Sequence, residues 1–152
     1  MSKSTRKRKG EEIASLSPTE LETYLGMGWS NCKLGKLQEA IDIFEKAMKI
    51  DPNHVKVHFY LGHSYLRLSK FSEAIKHFEK VTALNPKYID AYYALGGIYF
   101  KLGNFPEVIK NFEELIKLKP THDEAHQVLG SSYLKISDFD NAIIYFTKAV
   151  SL

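Results

Sequence analysis

Few residues of this chain have the type and spacing to do chemistry. His122-Asp123-Glu124-Ala125-His126 is the one segment that resembles a metal motif, with two imidazoles one helical turn apart. A zinc-hydrolase helix needs Glu directly after its first His as general base, but Asp123 holds that place and His122 falls in a predicted turn. No metal site is therefore expected. Cys32 is the only cysteine, which rules out an internal disulfide or a paired-cysteine centre and fits a reducing compartment. Glycine-rich phosphate loops and nucleophile elbows do not occur. Ser, His and Asp are scattered with no pattern that converges on a pocket, so neither catalytic residues nor a cofactor are expected, and the chain reads as non-enzymatic.

The elements that could position any site are set by a period of 34 residues. Frames 21–54, 55–88, 89–122 and 123–152 align without gaps. Gly28, Gly62, Gly96 and Gly130 share the eighth column, preceded by Met27, Leu61, Leu95 and Leu129. Asn31, Tyr65, Tyr99 and Tyr133 share the eleventh. The twentieth, twenty-fourth and twenty-seventh hold Ala40, Phe44, Ala47, then Ala74, Phe78, Val81, then Val108, Phe112, Leu115, then Ala142, Phe146, Ala149. Pro52, Pro86 and Pro120 close the first three frames. Within each frame, apolar residues recur at three- and four-residue steps in both halves, which predicts a pair of amphipathic helices, A and B.

Each column has a physical reason. Glycine inside a helix costs about 1 kcal/mol against alanine, so its recurrence predicts a close approach of helix A to its own helix B. Gly35 and Gly103 fall where helix A must end, with Lys70 and Ser137 at or near that turn in the other frames. Pro106 fits the first turn of its B helix, and the closing prolines limit where the B helices stop. Val108 and Leu115 are larger than the alanines of their columns and predict local repacking, helped by Gly96 and Gly97. Ser17-Pro18-Thr19-Glu20 reads as a helix start, placing the first A helix near residue 18 and leaving 1–16 as an expected disordered tail before a repeat domain over 17–152.

These columns resemble the tetratricopeptide repeat, whose pattern of Leu-Gly, Tyr, Ala, Phe, Ala and Pro runs through the four frames, with Asn31 for Tyr in the first, Val108 and Leu115 for Ala in the third and the closing Pro in the first three. The resemblance implies an all-α fold, a right-handed superhelical solenoid of antiparallel helix pairs. It also implies function by protein–protein interaction, as an adaptor or scaffold that holds a peptide or helix in a concave groove lined by A helices. In the family the groove is lined by columns two, five, nine, twelve and thirteen. Here these supply Leu25, Phe59 and Tyr93 at five; Trp29 and His63 at nine; Phe100 at twelve; and Lys33, Arg67, Lys101 and Lys135 at thirteen. Trp29, Phe59, Tyr93 and Phe100 are the expected anchors, and the cation column is a candidate for pairing with carboxylates. Acids occupy three of the four places in column two, Glu22, Asp90 and Glu124, so the surface is mixed in sign and suits a peptide better than a polyanion.

Two ligand devices of the family are absent. The carboxylate clamp of heat-shock co-chaperones would need Lys and Asn where Leu25 and Trp29, or Phe59 and His63, stand. The asparagine ladder of glycosyltransferase-associated repeats would need Asn where Gly26, Tyr60, Ala94 and Val128 stand.

At a net charge of +3, the basic character is concentrated in Lys3 and Arg6 to Lys9, and residues 21–152 carry 16 basic against 15 acidic side chains. That near balance argues against nucleic acid on the repeat body. The basic cluster remains open as a nuclear import signal, a weakly nucleic-acid-touching arm or a solvated leader. No apolar run is long enough for a membrane span and no secretory leader is recognised, so a soluble cytoplasmic protein is expected, or a nuclear one if the source is eukaryotic. The last B helix carries Ile143, Ile144, Phe146, Val150 and Leu152, which predicts an alternative role as a self-assembling module, through a homodimer or hetero-complex on that helix. Leaving about 300 Å² of such surface bare forgoes about 7 kcal/mol of burial.

Overall fold

The computed structural model describes residues 18–152; the basic cluster, the tail to residue 16 and the Ser17 cap lie outside the described residues. Among these residues the chain forms eight helices and no strand: α1 (Pro18–Lys33), α2 (Leu37–Ile50), α3 (Val55–Arg67), α4 (Phe71–Leu84), α5 (Ile89–Lys101), α6 (Phe105–Leu118), α7 (Asp123–Lys135) and α8 (Phe139–Ser151). From α2 onward, A and B helices each begin at intervals of the sequence period, at Val55, Ile89 and Asp123 and at Leu37, Phe71, Phe105 and Phe139.

The turn inside each hairpin is built the same way four times. Gly35, Ser69, Gly103 and Ser137 take left-handed backbone, with φ of 77°, 57°, 70° and 64°. The next residue then donates its N–H back to a carbonyl five positions earlier: Lys36 to Asn31, Lys70 to Tyr65, Asn104 to Tyr99 and Asp138 to Tyr133, at 2.9–3.0 Å. This is the glycine-type helix stop, and two frames make it with serine, which carries a Cβ where glycine has none. In the second frame the strained residue is therefore Ser69, and Lys70 follows it. Side-chain caps then start α6 and α8, where Asn104 accepts from the Glu107 N–H and Asp138 from the Asn141 N–H.

Between hairpins, each B helix stops two residues before its proline. Asp51 and Lys119, which immediately precede Pro52 and Pro120, are extended, with φ/ψ of −132°/97° and −135°/82°, as the proline ring demands of its neighbour. The fourth column pins this turn from the following A helix. His58 Nε2–H donates to the Pro52 carbonyl at 2.8 Å, the Tyr92 hydroxyl to Pro86 at 3.2 Å and His126 Nε2–H to Pro120 at 2.8 Å. The eleventh-column tyrosines reach back to a glutamate of the preceding B helix: Tyr65 to Glu45 at 3.4 Å, Tyr99 to Glu79 at 3.4 Å and Tyr133 to Glu113 at 2.7 Å.

The chain divides into two compact units, one ending at His77 and one running over Phe78–Leu152, with the boundary inside α4. The core of the first unit contains Leu25, Ala40, Ile41, Phe44, Ala47, Val57 and Leu61. The core of the second contains Val108, Ile109, Phe112, Leu115, Ala125 and Leu129. In both, a phenylalanine of helix B lies on a glycine of helix A. A Cβ built on Gly28 would come within 2.3 Å of the Phe44 ring, on Gly96 within 2.4 Å of Phe112 and on Gly130 within 2.8 Å of Phe146, so the eighth column is small because a ring occupies the space. The larger Val108 and Leu115 are fully buried in a core where Ala125 replaces the Val57 of the first unit. That exchange offsets part of the added volume, whereas Gly97 has open space beside it.

Candidate functional site

Helices α1 and α3 run side by side in the first unit and bring five of the expected groove residues to one cavity of about 280 Å³. α1 contributes Trp29, Cys32 and Lys33; α3 contributes Phe59, Tyr60, His63, Ser64 and Arg67. Trp29 is 45% exposed although it is the largest apolar side chain in the unit. The Lys33 Nζ sits 3.9 Å from the Trp29 ring centroid, a cation–π pair formed between residues one helical turn apart. Phe59 packs edge-on against His63 with centroids 4.5 Å apart, and the Cys32 thiol and Ser64 hydroxyl are 3.2 Å apart. Arg67 Nη1–H donates to the Cys32 carbonyl at 2.6 Å. That bond ties the last turn of α3 to a carbonyl at the end of α1 that also accepts the Gly35 N–H at 3.2 Å, so one edge of the guanidinium has a structural use.

Leu25 is a correction to the expected groove set. It is 7% exposed and belongs to the core with Ala40 and Phe44, so it offers nothing to a ligand. The reason lies in its neighbours: Leu21, Tyr24 and Leu25 together form the apolar stripe of α1 against α2.

In the second unit, Tyr93 and Phe100 lie exposed on α5, with Lys101 at its end and Lys135 at the end of α7. Tyr93 donates its hydroxyl to Glu124 Oε1 at 2.6 Å, and this bond, followed by partial burial, raises its pKa above the usual phenol value. Phe100 leans edge-on to Phe105 across the hairpin turn, with centroids 5.8 Å apart. Gly97 and Ser131 stand in the column that holds Trp29 and His63 in the first unit, so this face is more polar and its anchors are engaged within their own unit.

Sequence reasoning did not single out the fourth column or the glutamates that receive the tyrosines, although both recur at the repeat period. The fourth column also takes part in a histidine pair. Because His58 Nε2–H is committed to Pro52, its Nδ1 lone pair accepts the Nδ1–H of His77 at 3.0 Å. His77 also stacks on Tyr65, with planes 6° apart. Burial, then the charge of His58, then that of Lys76 lower the His77 pKa to about 4. In the candidate metal motif, His122 Nδ1 accepts the Ala125 N–H and His126 Nε2–H is held by Pro120, so these ring nitrogens serve the backbone. Among the described residues no group of three or more His, Cys, Asp or Glu is placed to hold a metal ion.

Ile143, Ile144, Phe146 and Val150 of α8, and Leu152 just past its end, are all exposed, Val150 at 90%. Phe146 is 37% exposed, whereas its column mates Phe44, Phe78 and Phe112 are at most 2% exposed. Among the described residues no helix is long and apolar enough to cross a membrane.

The repeated hairpins, the glycine–phenylalanine contact and the proline-closed turns define a helical-repeat protein, and comparison with known families assigns it. The family described as tetratricopeptide repeat matches residues 89–122 and again 123–152, a related TPR repeat family matches 65–103, and anaphase-promoting complex, cyclosome, subunit 3 matches 10–81. The chain belongs to the tetratricopeptide-repeat proteins. No curated protein matches it by sequence. Among solved structures it is similar to a crystal structure of MamA, with a TM-score of 0.81 and 27% identity over 99% of this chain and 94% of that one. A second MamA crystal structure gives 0.80 and 27% over 97% and 86%, and a MamA RS-1 ArsTM double mutant gives 0.79 and 28% over 89% and 76%. Family and fold together are those of a protein-interaction scaffold.

Proposed function

We propose that the chain is a non-catalytic adaptor that holds a segment of a partner protein against its A helices, centred on the cavity between α1 and α3. The observation that carries this reading is the convergence there of Trp29 and Phe59 with Lys33 and Arg67. A large aromatic left half in solvent beside a second aromatic and two cations has the make-up of an interaction hot spot. Trp29 is also the only tryptophan, so its fluorescence reports occupancy of the cavity without a label. The test is capture of partners from a lysate by the intact chain and by a W29A/F59A double variant, scored by proteins lost from the variant at unchanged helicity. An identical set of captured proteins would refute the reading.

A second reading, self-association through α8, is favoured by the exposure of Phe146 and Val150 in columns that other frames bury or half-bury. It predicts a mass that rises with concentration in sedimentation and a monomer for I143E/V150E. A concentration-independent monomer at high micromolar loading removes it.

A further inference from the structure

Within each unit an A helix packs on the preceding B helix with one stripe of side chains. α3 lays Val57 and Leu61 into a core with Ala40, Ile41 and Phe44 of α2, and α7 lays Ala125 and Leu129 into one with Val108, Ile109 and Phe112 of α6. A turn further along, Ser64 and Ser132 are fully buried, their hydroxyls donating to the Tyr60 and Val128 carbonyls at 2.8 and 2.7 Å. These are columns three, seven and ten, which lie on one face of a helix. In α1 the same columns hold Thr23, Met27 and Ser30, and all three are exposed, Met27 at 49%. Their polar groups are nevertheless satisfied inside α1. The Thr23 hydroxyl donates to the Thr19 carbonyl at 2.8 Å, and Ser30 donates to Gly26 at 2.9 Å just as Ser64 and Ser132 do in their helices. Thr23 has the shape of Val57 and Met27 about the volume of Leu61, so this stripe can be covered without stranding a donor.

α8 offers the complementary half. Ile143 is 65% exposed where Ile41 and Ile109 of its column are buried, and Phe146 and Val150 continue its stripe at three- and four-residue steps. The polar pair that crosses the interior junctions is missing from both sides at once. Glu45 and Glu113, which receive Tyr65 and Tyr133, give way to Thr147 on α8, and the tyrosine column holds Asn31 on α1, whose Nδ2–H is bonded to the Met27 carbonyl at 3.0 Å. α1 thus brings no phenol that needs a carboxylate, and α8 has no glutamate in that column to be buried unpaired. Resting on the self-association reading above, we infer that α8 of one copy packs on the Thr23, Met27 and Ser30 stripe of α1 of another, in the way α2 meets α3 and α6 meets α7. The contact joins two different surfaces, so it is heterologous and not a symmetric pairing of α8 with α8. Trp29 and Lys33 lie outside the stripe, which leaves partner capture at the cavity a separate matter. One helix face covers less than the about 800 Å² per partner of a standard interface, so micromolar association is expected.

The test is sedimentation of the intact chain and of two variants, T23E/M27E and I143E/V150E, whose substituted side chains are all exposed. The mass of the parent should rise with concentration, and each variant alone should stay monomeric at unchanged helicity. Mixed in equal amounts, the two variants should recover a one-to-one pair, because the intact α1 stripe of I143E/V150E meets the intact α8 stripe of T23E/M27E. T23V/M27L, which installs the residues of the interior stripe, should associate at least as tightly as the parent. Self-association of T23E/M27E at the strength of the parent overturns the inference and leaves association through α8 standing, with α8 meeting itself or another surface. Two variants that are monomeric alone and remain so when mixed also overturn it, as does weaker association of T23V/M27L. A parent that stays monomeric at high micromolar loading, or I143E/V150E that associates as the parent does, removes both this inference and the reading it rests on.

Discussion

Adjacent glycines on α5 should respond to alanine in opposite directions. Replacing glycine by alanine in a helix gains about 0.8–1 kcal/mol in propensity. At Gly97 nothing lies within 4 Å of the added methyl, so G97A should keep that gain. At Gly96 the methyl would lie 2.4 Å from Phe112 Cε2 and 2.6 Å from Cδ2, more than 1 Å inside an ordinary carbon–carbon contact. Phe112 cannot yield easily, being 2% exposed and packed edge-on to Tyr93 at 5.8 Å. Overpacking of this kind costs about 1–3 kcal/mol and belongs at the upper end here. Net of propensity, G96A should destabilise by about 1–2 kcal/mol, and the two neighbours should differ by about 2–3 kcal/mol. G130A should lie between them, because Phe146 is partly exposed and can swing away. Urea denaturation followed by helicity measures the differences at constant m-value. G96A as stable as the parent, or G97A destabilised, would refute close A–B approach as the reason for the eighth column.

Ser69 and Ser137 occupy left-handed backbone, so S69G and S137G should each stabilise by about 0.5–1 kcal/mol, read as a raised urea midpoint. Y133F removes a 2.7 Å bond to Glu113 and should cost about 1 kcal/mol, more than Y65F, whose bond to Glu45 is 3.4 Å; equal losses would mean the geometry does not set the strength. The folded pKa of His77 is about 4 against 6.5 unperturbed, so between these values the unfolded chain binds more protons than the folded one. Its contribution is complete above pH 6.5 and is lost as pH falls toward 4. H77Q should therefore flatten the dependence of the urea midpoint on pH across that window, and an unchanged slope would show that other groups govern it.

The hairpins were legible because each column answers to a local constraint that the sequence repeats. Gly28 and Gly96 are small because of Phe44 and Phe112, and Pro52 and Pro120 fix the residue before them whatever surrounds them. Leu25 was misplaced because a column number carries no information about how deep a given helix sits, and the stripe it joins is visible only once α1 is laid on α2. The His58–His77 pair could not be foreseen, since it joins residues on two helices through a tautomer set by Pro52. Ser69 was missed by one position: serine is a poor signal for left-handed backbone, and the neighbouring Lys70 lies just beyond it.

The division of labour among columns explains why the exposed side chains of the A helices can differ between the units. Turns and junctions are held by Gly, Phe and Pro together with the donors His58, Tyr92 and His126 and the Tyr–Glu bonds, all outside the groove columns. The ninth column is then free to hold Trp29, His63, Gly97 and Ser131 without loss of the hairpin. Against four unchanged glycines and four unchanged phenylalanines, this column shows wide variation in size and polarity. It is greatest where Trp29 gives way to Gly97, and the aromatic and cationic cavity is found in the first unit, on the side of that change where Trp29 stands.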